Sequence, residues 1–408
     1  MLIENLRYSK YEKNLKVSVD ILEKDERKRE LWFSIPEIYE NNMCIEQYDG
    51  FLVGVLYLAM KNGEDIYIKG KVSSKLLFNI NNYVIPLLCS FSKKLKKIKV
   101  TSEEISNYNF NGKGVGTGFS GGVDSFSTIY DHYELEENNE YKINSFLFLN
   151  VGSHGNGEEE IVYSKFMKRY KYLKKFPEEL GLEFIPLNSN LYEFHPWGHQ
   201  LTHTLTSVSG ILILEKLYRK YYYASAGLSY LEIFENYQYY LEKDIGILDN
   251  ILLSLLSTES TELIADGTQY TRVEKVRNII NYEPVYRYLN VCVSGEDNHE
   301  NCSVCSKCCR TLMTLDSLGK IDDFKDLFNI SKYREKAQRE YEAIQIIEKE
   351  KNAFAKDNVE LAIEIKRKLP SKVESYFILL PRIIKQILSK NISEKNKKIL
   401  KKYLLRKK

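Results

Sequence analysis

The chain has 408 residues, of which 43% are hydrophobic and 28% charged, with a formal net charge of +3. This balance belongs to a globular chain and excludes a low-complexity one, and the length exceeds one ordinary domain. No uninterrupted apolar run is long enough to cross a bilayer, and the first ten residues carry charge early and lack the apolar core and cleavage site of a secretory signal, so a cytoplasmic protein without a membrane partner is expected.

The first hundred or so residues read as an α+β unit. Residues 15–22 and 30–35 have strand character, 49–60 form an apolar stretch, and 63–70 are a turn leading into an alternating strand. Residues 73–91 read as helix, with Ser73 or Ser74 as the cap. Cys44 and Cys89 sit in apolar surroundings and read as small core residues. Nothing here resembles catalytic machinery, so 1–111 is expected to be an accessory domain.

From residue 112 the pattern changes to alternating strands and helices. Strands are expected at 114–119, 143–151, 183–187 and 222–226, and helices at 124–133, 158–180 and 198–221. Such alternation predicts an α/β fold whose parallel sheet carries helices on both faces, with ligand loops at the carboxyl ends of the strands. Residues 310–318 read as a short helix closed by Gly319. From Ile330 onward the chain is helical and charged, broken at Pro370 and Pro381. The expected division is 1–111, a nucleotide domain over 112–325, and a helical region over 326–408.

The strongest motif, Ser120-Gly121-Gly122-Val123-Asp124-Ser125, lies between an expected strand and an expected helix. Paired glycines let backbone approach a polyphosphate, and the helix start turns N–H groups toward it. Ser120 and Ser125 add hydroxyls, and Asp124 can hold Mg²⁺ or orient the loop. The lysine of the G-x-x-x-x-G-K-[ST] phosphate loop is missing.

The SGGVDS run resembles the SGGxDS signature of the PP-loop (N-type) ATP pyrophosphatases, within the adenine nucleotide α-hydrolase group of Rossmann-like folds. The resemblance implies cleavage of Mg-ATP between its α and β phosphates and adenylation of a substrate carboxyl or carbonyl oxygen. An amine, ammonia or sulfur nucleophile then displaces AMP. Asn150 ends the second expected strand as a wall for the adenine, and Gly227 follows the fourth, leaving room for ribose or α-phosphate. Thr271-Arg272-Val273-Glu274-Lys275 resembles the element that faces the departing pyrophosphate in such enzymes, with Arg272 where lysine is usual.

Cys292, Cys302, Cys305 and Cys308 follow C-x9-C-x2-C-x2-C, and Cys309 is a spare. This density in a chain without a secretory signal points to a metal rather than disulfides. Structural Zn²⁺ is the first choice and an iron–sulfur cluster the alternative. The spacing and the trailing Arg310 resemble the 7-cyano-7-deazaguanine synthase family, over residues 114 to about 319. The cysteine site is expected to brace the pocket wall.

His195, His199 and His203 recur every four residues and would share a helix face, and His154 sits in a glycine-rich loop. From residue 376 to the end, eleven Lys/Arg face one acid, a local charge of +10 that leaves −7 on the remainder. A basic tail is either a solvated face or a surface for RNA, which makes a tRNA-modifying enzyme the second reading. A nucleotide-binding regulatory or defence protein without turnover is the third. A small-molecule substrate is the expected partner in the first reading, and an oligomer is compatible with all three.

Overall fold

The computed structural model describes residues 1–155, 157–225, 227–292 and 300–391, with backbone alone for 386–391. The described residues form two compact units, one of Met1–Val291 and the other of Cys292 with the chain from Glu300 on. These units cut the chain differently from the three segments read in its sequence. Residues on both sides of 111 build one sheet, and the cysteine cluster belongs with the C-terminal helices.

In chain order the first unit contains β1 (Leu2–Tyr11), β2 (Asn14–Leu22), β3 (Lys28–Pro36), α1 (Asp49–Asn62), β4 (Ile66–Ser73), α2 (Ser74–Asn79), α3 (Ile85–Phe91) and β5 (Val100–Ser106). There follow β6 (Gly114–Gly118), α4 (Val123–Ile129), β7 (Ser145–Asn150), α5 (Glu159–Leu173), α6 (Lys175–Glu179), β8 (Glu183–Ser189) and α7 (His203–Leu212). Its last elements are β9 (Tyr218–Ala224), α8 (Tyr230–Tyr240), α9 (Asp249–Leu255), β10 (Glu262–Asp266), α10 (Arg272–Ile279) and α11 (Val285–Tyr288). The second unit is helical: α12 (Ser306–Ser317), α13 (Ile330–Lys336), α14 (Gln338–Glu348), α15 (Ala353–Glu364) and α16 (Lys372–Asn391).

The ten strands of the described residues make one mostly parallel sheet in the order β10-β9-β6-β7-β8-β3-β2-β1-β4-β5. From β10 to β8 every pairing is parallel. The β1–β3 hairpins are antiparallel, and β3 joins β8 through only Phe33↔Ser189 and Ser34↔Asn188. The chain runs outward from β6 through β7 to β8, then returns to lay β9 on the other side of β6. Right-handed crossovers, the rule for parallel strands, carry helices to opposite faces on the two sides of that reversal. The reversal between β6 and β9 is therefore the point at which such a sheet opens a crevice beyond its carboxyl edge.

Packing explains where the sequence reading changes. The apolar stretch at 49–60 is α1, buried over its whole circumference, as expected of a helix that is hydrophobic all round. It approaches α7 closely enough that Ser209 Oγ donates to Gly50 O at 2.6 Å. The single helix expected over 198–221 does not form. Gly198 has φ +100, α7 ends at Leu212, and the aromatic run at 218–224 pairs as β9. The three histidines consequently share no helix face: His195 follows one 3-10 turn, His199 starts another, and His203 opens α7. The expected 158–180 helix divides at Lys174 into α5 and α6. Pro381 lies inside α16 rather than ending it.

Under the phosphate-loop motif, Phe119, Phe126, Phe146, Phe176 and Phe184 form a contiguous aromatic cluster. Each such ring contributes about 2 kcal/mol on burial, so the loop rests on stiff packing. Among the described residues no helix is long and apolar enough to cross a membrane.

Candidate functional site

The loop after β6 is shaped by Gly121. Its φ is +76, and a Cβ there would lie 2.8 Å from Leu173 Cδ2, so both conformation and space require glycine. Asn290 N–H donates to Gly121 O at 2.6 Å and pins the turn from α11. Gly122 begins α4 with ordinary dihedrals (φ −84, ψ 171) and no side-chain cap. Ser125 Oγ donates to Gly122 O at 3.0 Å and lies 3.3 Å from Ser120 Oγ, while Arg169 Nη2 donates to Ser120 O at 3.1 Å.

Asp124, in the first turn of α4, receives two cations from the first turn of α10. Arg272 Nη1 contacts one carboxylate oxygen, and Lys275 Nζ lies 3.1 Å from the other. Local rules produce this convergence. Thr271 and Glu274 form a reciprocal capping box that fixes where α10 starts, and positions three apart on a helix share a face. Lys275 Nζ also donates to Ser225 O at 3.2 Å, just past β9. Gly267, at φ +88, makes room for it, since a Cβ there would stand 2.7 Å from Nζ.

The electrostatics are unusual for a structural ion pair. Burial pushes the Asp124 carboxyl up, but Arg272 and Lys275 outweigh it and hold the group well below the usual carboxylate range. Lys275 is fully buried, and Arg272 Nε is buried with no hydrogen-bond partner among the described residues. Both cations stand at a helix N-terminus, where the macrodipole disfavours them by about 0.3–1 kcal/mol each. Two concentrated positive charges thus face one carboxylate beside the sheet reversal.

Asn150 ends β7, donating through Nδ2 to Asn188 Oδ1 at 2.6 Å, and its buried Oδ1 has no partner among the described residues. Gly227 has φ +90 and donates its N–H to Ser225 O at 2.8 Å; Ala226 between them lies outside the described residues. Val123 is buried at the start of α4.

Two polar networks flank these groups and were not anticipated from the motifs. Asp266, ending β10, accepts from Thr128 Oγ1 at 2.6 Å and lies 2.8 Å from His132 Nε2, tying β10 to the α4 segment. His203 lies 2.9 Å from Tyr223 OH through Nδ1 and 3.0 Å from Asp244 Oδ1 through Nε2. Beside it Asp249 accepts from Thr204 Oγ1 at 2.7 Å, and burial raises its carboxyl to about 6 although His203 opposes the shift. The available signal was Asp244 and Asp249 bracketing the buried run Ile245–Leu248. His195 is a core residue: Nε2 meets Gly54 O at 2.7 Å, and burial pushes it down to about 4. His154 packs edge-on against Phe148 and Phe166.

In the second unit, Cys292, Cys302, Cys305 and Cys308 bring four sulfurs within 4.8 Å of one another, a set that could hold a metal such as zinc. Cys292 and Cys305 are 3.9 Å apart, and Cys302 and Cys308 4.0 Å. A tetrahedron with Zn–S bonds of about 2.3 Å has edges of roughly 3.8 Å, close to these two separations. Ser303 turns the loop at φ +65, and Cys305 N–H donates to Cys302 Sγ at 3.3 Å. Hydrogen bonding with Cys305, then burial, push the Cys308 thiol far up, so a metal must displace protons to bind. Cys309 is buried, and burial raises its thiol to about 12. Cys44 is buried, while Cys89 is only half-buried. The basic tail from 392 on lies outside the described residues. No family model, curated protein or solved structure matches the chain.

Proposed function

We propose that this chain is an ATP-dependent, AMP-forming enzyme of the PP-loop class, which adenylates a carboxyl or carbonyl oxygen of a small-molecule substrate. The observation that carries the reading is the convergence of Arg272 and Lys275 on Asp124, at the reversal of a parallel sheet and beside a Ser-Gly-Gly turn. A purely structural pair would not need two buried cations at a helix N-terminus, where they are disfavoured. A polyphosphate supplies what the arrangement lacks, and Gly122 has dihedrals any residue adopts, so a close-approaching ligand explains its missing side chain.

In this reading Mg-ATP lays its β and γ phosphates on the Gly121–Gly122 turn and the start of α4, with Ser120 and Ser125 as hydroxyl donors. Arg272 and Lys275 then turn from Asp124 to the pyrophosphate, and Asp124 becomes free to face Mg²⁺. The substrate oxygen attacks the α phosphorus, and the α–β bridging oxygen leaves with pyrophosphate. Ammonia, an amine or a sulfur nucleophile next attacks the activated carbon, and AMP departs with the substrate oxygen. Asn150 Oδ1 offers an acceptor for the adenine amine, and Gly227 leaves space beside the ribose. In the second unit, Cys292, Cys302, Cys305 and Cys308 hold a structural Zn²⁺, which would fix the loop before α12.

The deciding experiment incubates the purified protein with Mg-ATP and a metabolite extract. AMP and pyrophosphate should appear in equal amounts and vanish in Asp124→Ala; ADP with phosphate, or no turnover, defeats the reading. Elemental analysis should give one zinc per chain, whereas visible absorbance with iron would favour a cluster.

One observation favours a macromolecular acceptor over a small one. Helix α8, starting three residues after Gly227, exposes Tyr230, Leu231 and Phe234, the last at 80%. Exposed aromatics of this kind stack unpaired bases. RNA binding that falls steeply with salt and weakens in Phe234→Ala would support tRNA as substrate, and salt-insensitive or absent binding would end that alternative.

A further inference from the structure

We infer that the C-terminal helical unit contains a second small-molecule site, separate from the phosphate loop and built for a phosphorylated ligand with a flat, hydrogen-bonding body. A cavity of 530 Å³ opens among α12, α13, α14, the start of α15 and α16. That volume is within the usual range for small-molecule sites, about 300–1,000 Å³.

Three features of its lining point to an occupant. Arg310, Lys336 and Arg382 face two carboxylates, Glu340 and Glu348, so the cavity carries a net positive charge. Arg382 is drawn to Glu340 at 2.6 Å, but Lys336 pairs with no carboxylate among the described residues. Beside Lys336, α14 begins at Gln338 after Ala337, which offers no side-chain cap, so its first N–H groups favour the same anion. Gln345 is 4% exposed, lines the cavity, and has an amide with no hydrogen-bond partner among the described residues. The amide of this otherwise buried side chain is reached only from the cavity, so a ligand donor or acceptor entering there can take the place of water on it.

The walls suit a flat body. The Arg310 guanidinium lies 3.8 Å from the centroid of Phe354, and Tyr341 lines the same cavity. An aromatic ring can stack in such a setting while its polar edge meets Gln345. The phosphate would then take Lys336 and the start of α14. The loop ahead of α12 supplies Val304 and Ser306 to the same cavity, so occupancy bears directly on the segment that carries the cysteine cluster.

The inference does not depend on the AMP-forming reading, and its test keeps the two apart. Full-length Arg272→Ala protein, in which the phosphate loop has lost a cation, is titrated calorimetrically with AMP and, separately, with inorganic phosphate. AMP should bind at one site, more tightly than phosphate. Lys336→Ala, which removes an exposed side chain with no carboxylate partner among the described residues, should weaken both ligands at least tenfold. Gln345→Leu should weaken AMP alone. Absence of binding by either ligand, or binding indifferent to Lys336→Ala, overturns the site. A restored Arg272 with unchanged Lys336→Ala titration would assign the heat to the phosphate loop and overturn it equally.

Discussion

Two carboxylates in the first unit, Asp124 and Asp49, each open a helix and each are drawn into the protein, yet they are handled in opposite ways. Asp124 has a cation on each oxygen and is held well below the usual carboxylate range despite burial. Asp49 has no cation partner among the described residues. It accepts Ser73 N–H at 2.9 Å and Gln47 Nε2 at 3.2 Å, beside Glu215, and burial raises it to about 7. Glu215, held by Thr258 Oγ1 at 2.5 Å, is pushed up further by burial and by Asp49. The pair near Asp49 stores a proton inside a packed junction between α1 and β4 and has nothing to give to a ligand. The trio at Asp124 stores two positive charges at the mouth of the sheet, and a polyanion can take them.

The sharpest way to break this contrast is to remove Asp124. Asp124→Ala should lower AMP and pyrophosphate formation by about 10²-fold or more. It should also destabilise the fold by about 3 kcal/mol, because two buried cations lose their partner. Pyrophosphate should then raise the variant's melting temperature more than the wild type's. A variant within tenfold of wild-type turnover would mean that Asp124 is merely an ion-pair partner. Arg272→Ala comes next: pyrophosphate release should fall roughly 10- to 100-fold, since one of two charges on the leaving group remains. Unchanged release removes Arg272 from the site.

The Asp49 side of the comparison is tested by pH. A carboxyl raised from about 4 in the unfolded chain contributes stability that is complete below pH 4 and is lost as pH rises toward its folded value. For Asp49 the loss runs from about pH 4 to about 7. Asp124 has the reverse sign: its contribution is present above pH 4 and fades only in stronger acid. Denaturant unfolding of the wild type should therefore weaken between about pH 5 and 7, by on the order of 2 kcal/mol, and Asp49→Asn should flatten that slope. An unchanged slope would place the proton on another group.

The two regions also differ in how openly they announce themselves in the sequence. Ser120–Ser125 and the cysteine spacing are local patterns, each set within a few residues by what a turn needs, and Thr271 with Glu274 marks the start of α10 in the same way. The Asp49–Glu215 pair joins residues far apart in the chain, and nothing near either residue signals the other. The same holds for the sheet. Its two halves meet through two β3–β8 residue pairs, a non-local event that hydrophobic periodicity does not encode. Strand β1 went unread because its outward face is charged and exposed, and the 218–224 run was absorbed into a helix because its tyrosines follow an apolar helical stretch without a break.

The smallest expected effect separates the regions most cleanly, because each contains a capped helix. Thr271 Oγ1 accepts Glu274 N–H at 3.2 Å at the start of α10, and Ser73 Oγ accepts Leu76 N–H at 3.0 Å at the start of α2. Thr271→Ala and Ser73→Ala should each cost about 1 kcal/mol of stability. Only the first should change catalysis, by a few-fold in turnover, because the α10 cap sets where Arg272 and Lys275 stand relative to Asp124. Thr271→Ser should recover both properties. If the two alanine variants lose turnover equally, the effect is global softening, and the distinction between a poised charge cluster and a locked one fails; if Thr271→Ala alone loses it, the first turn of α10 is part of the machinery.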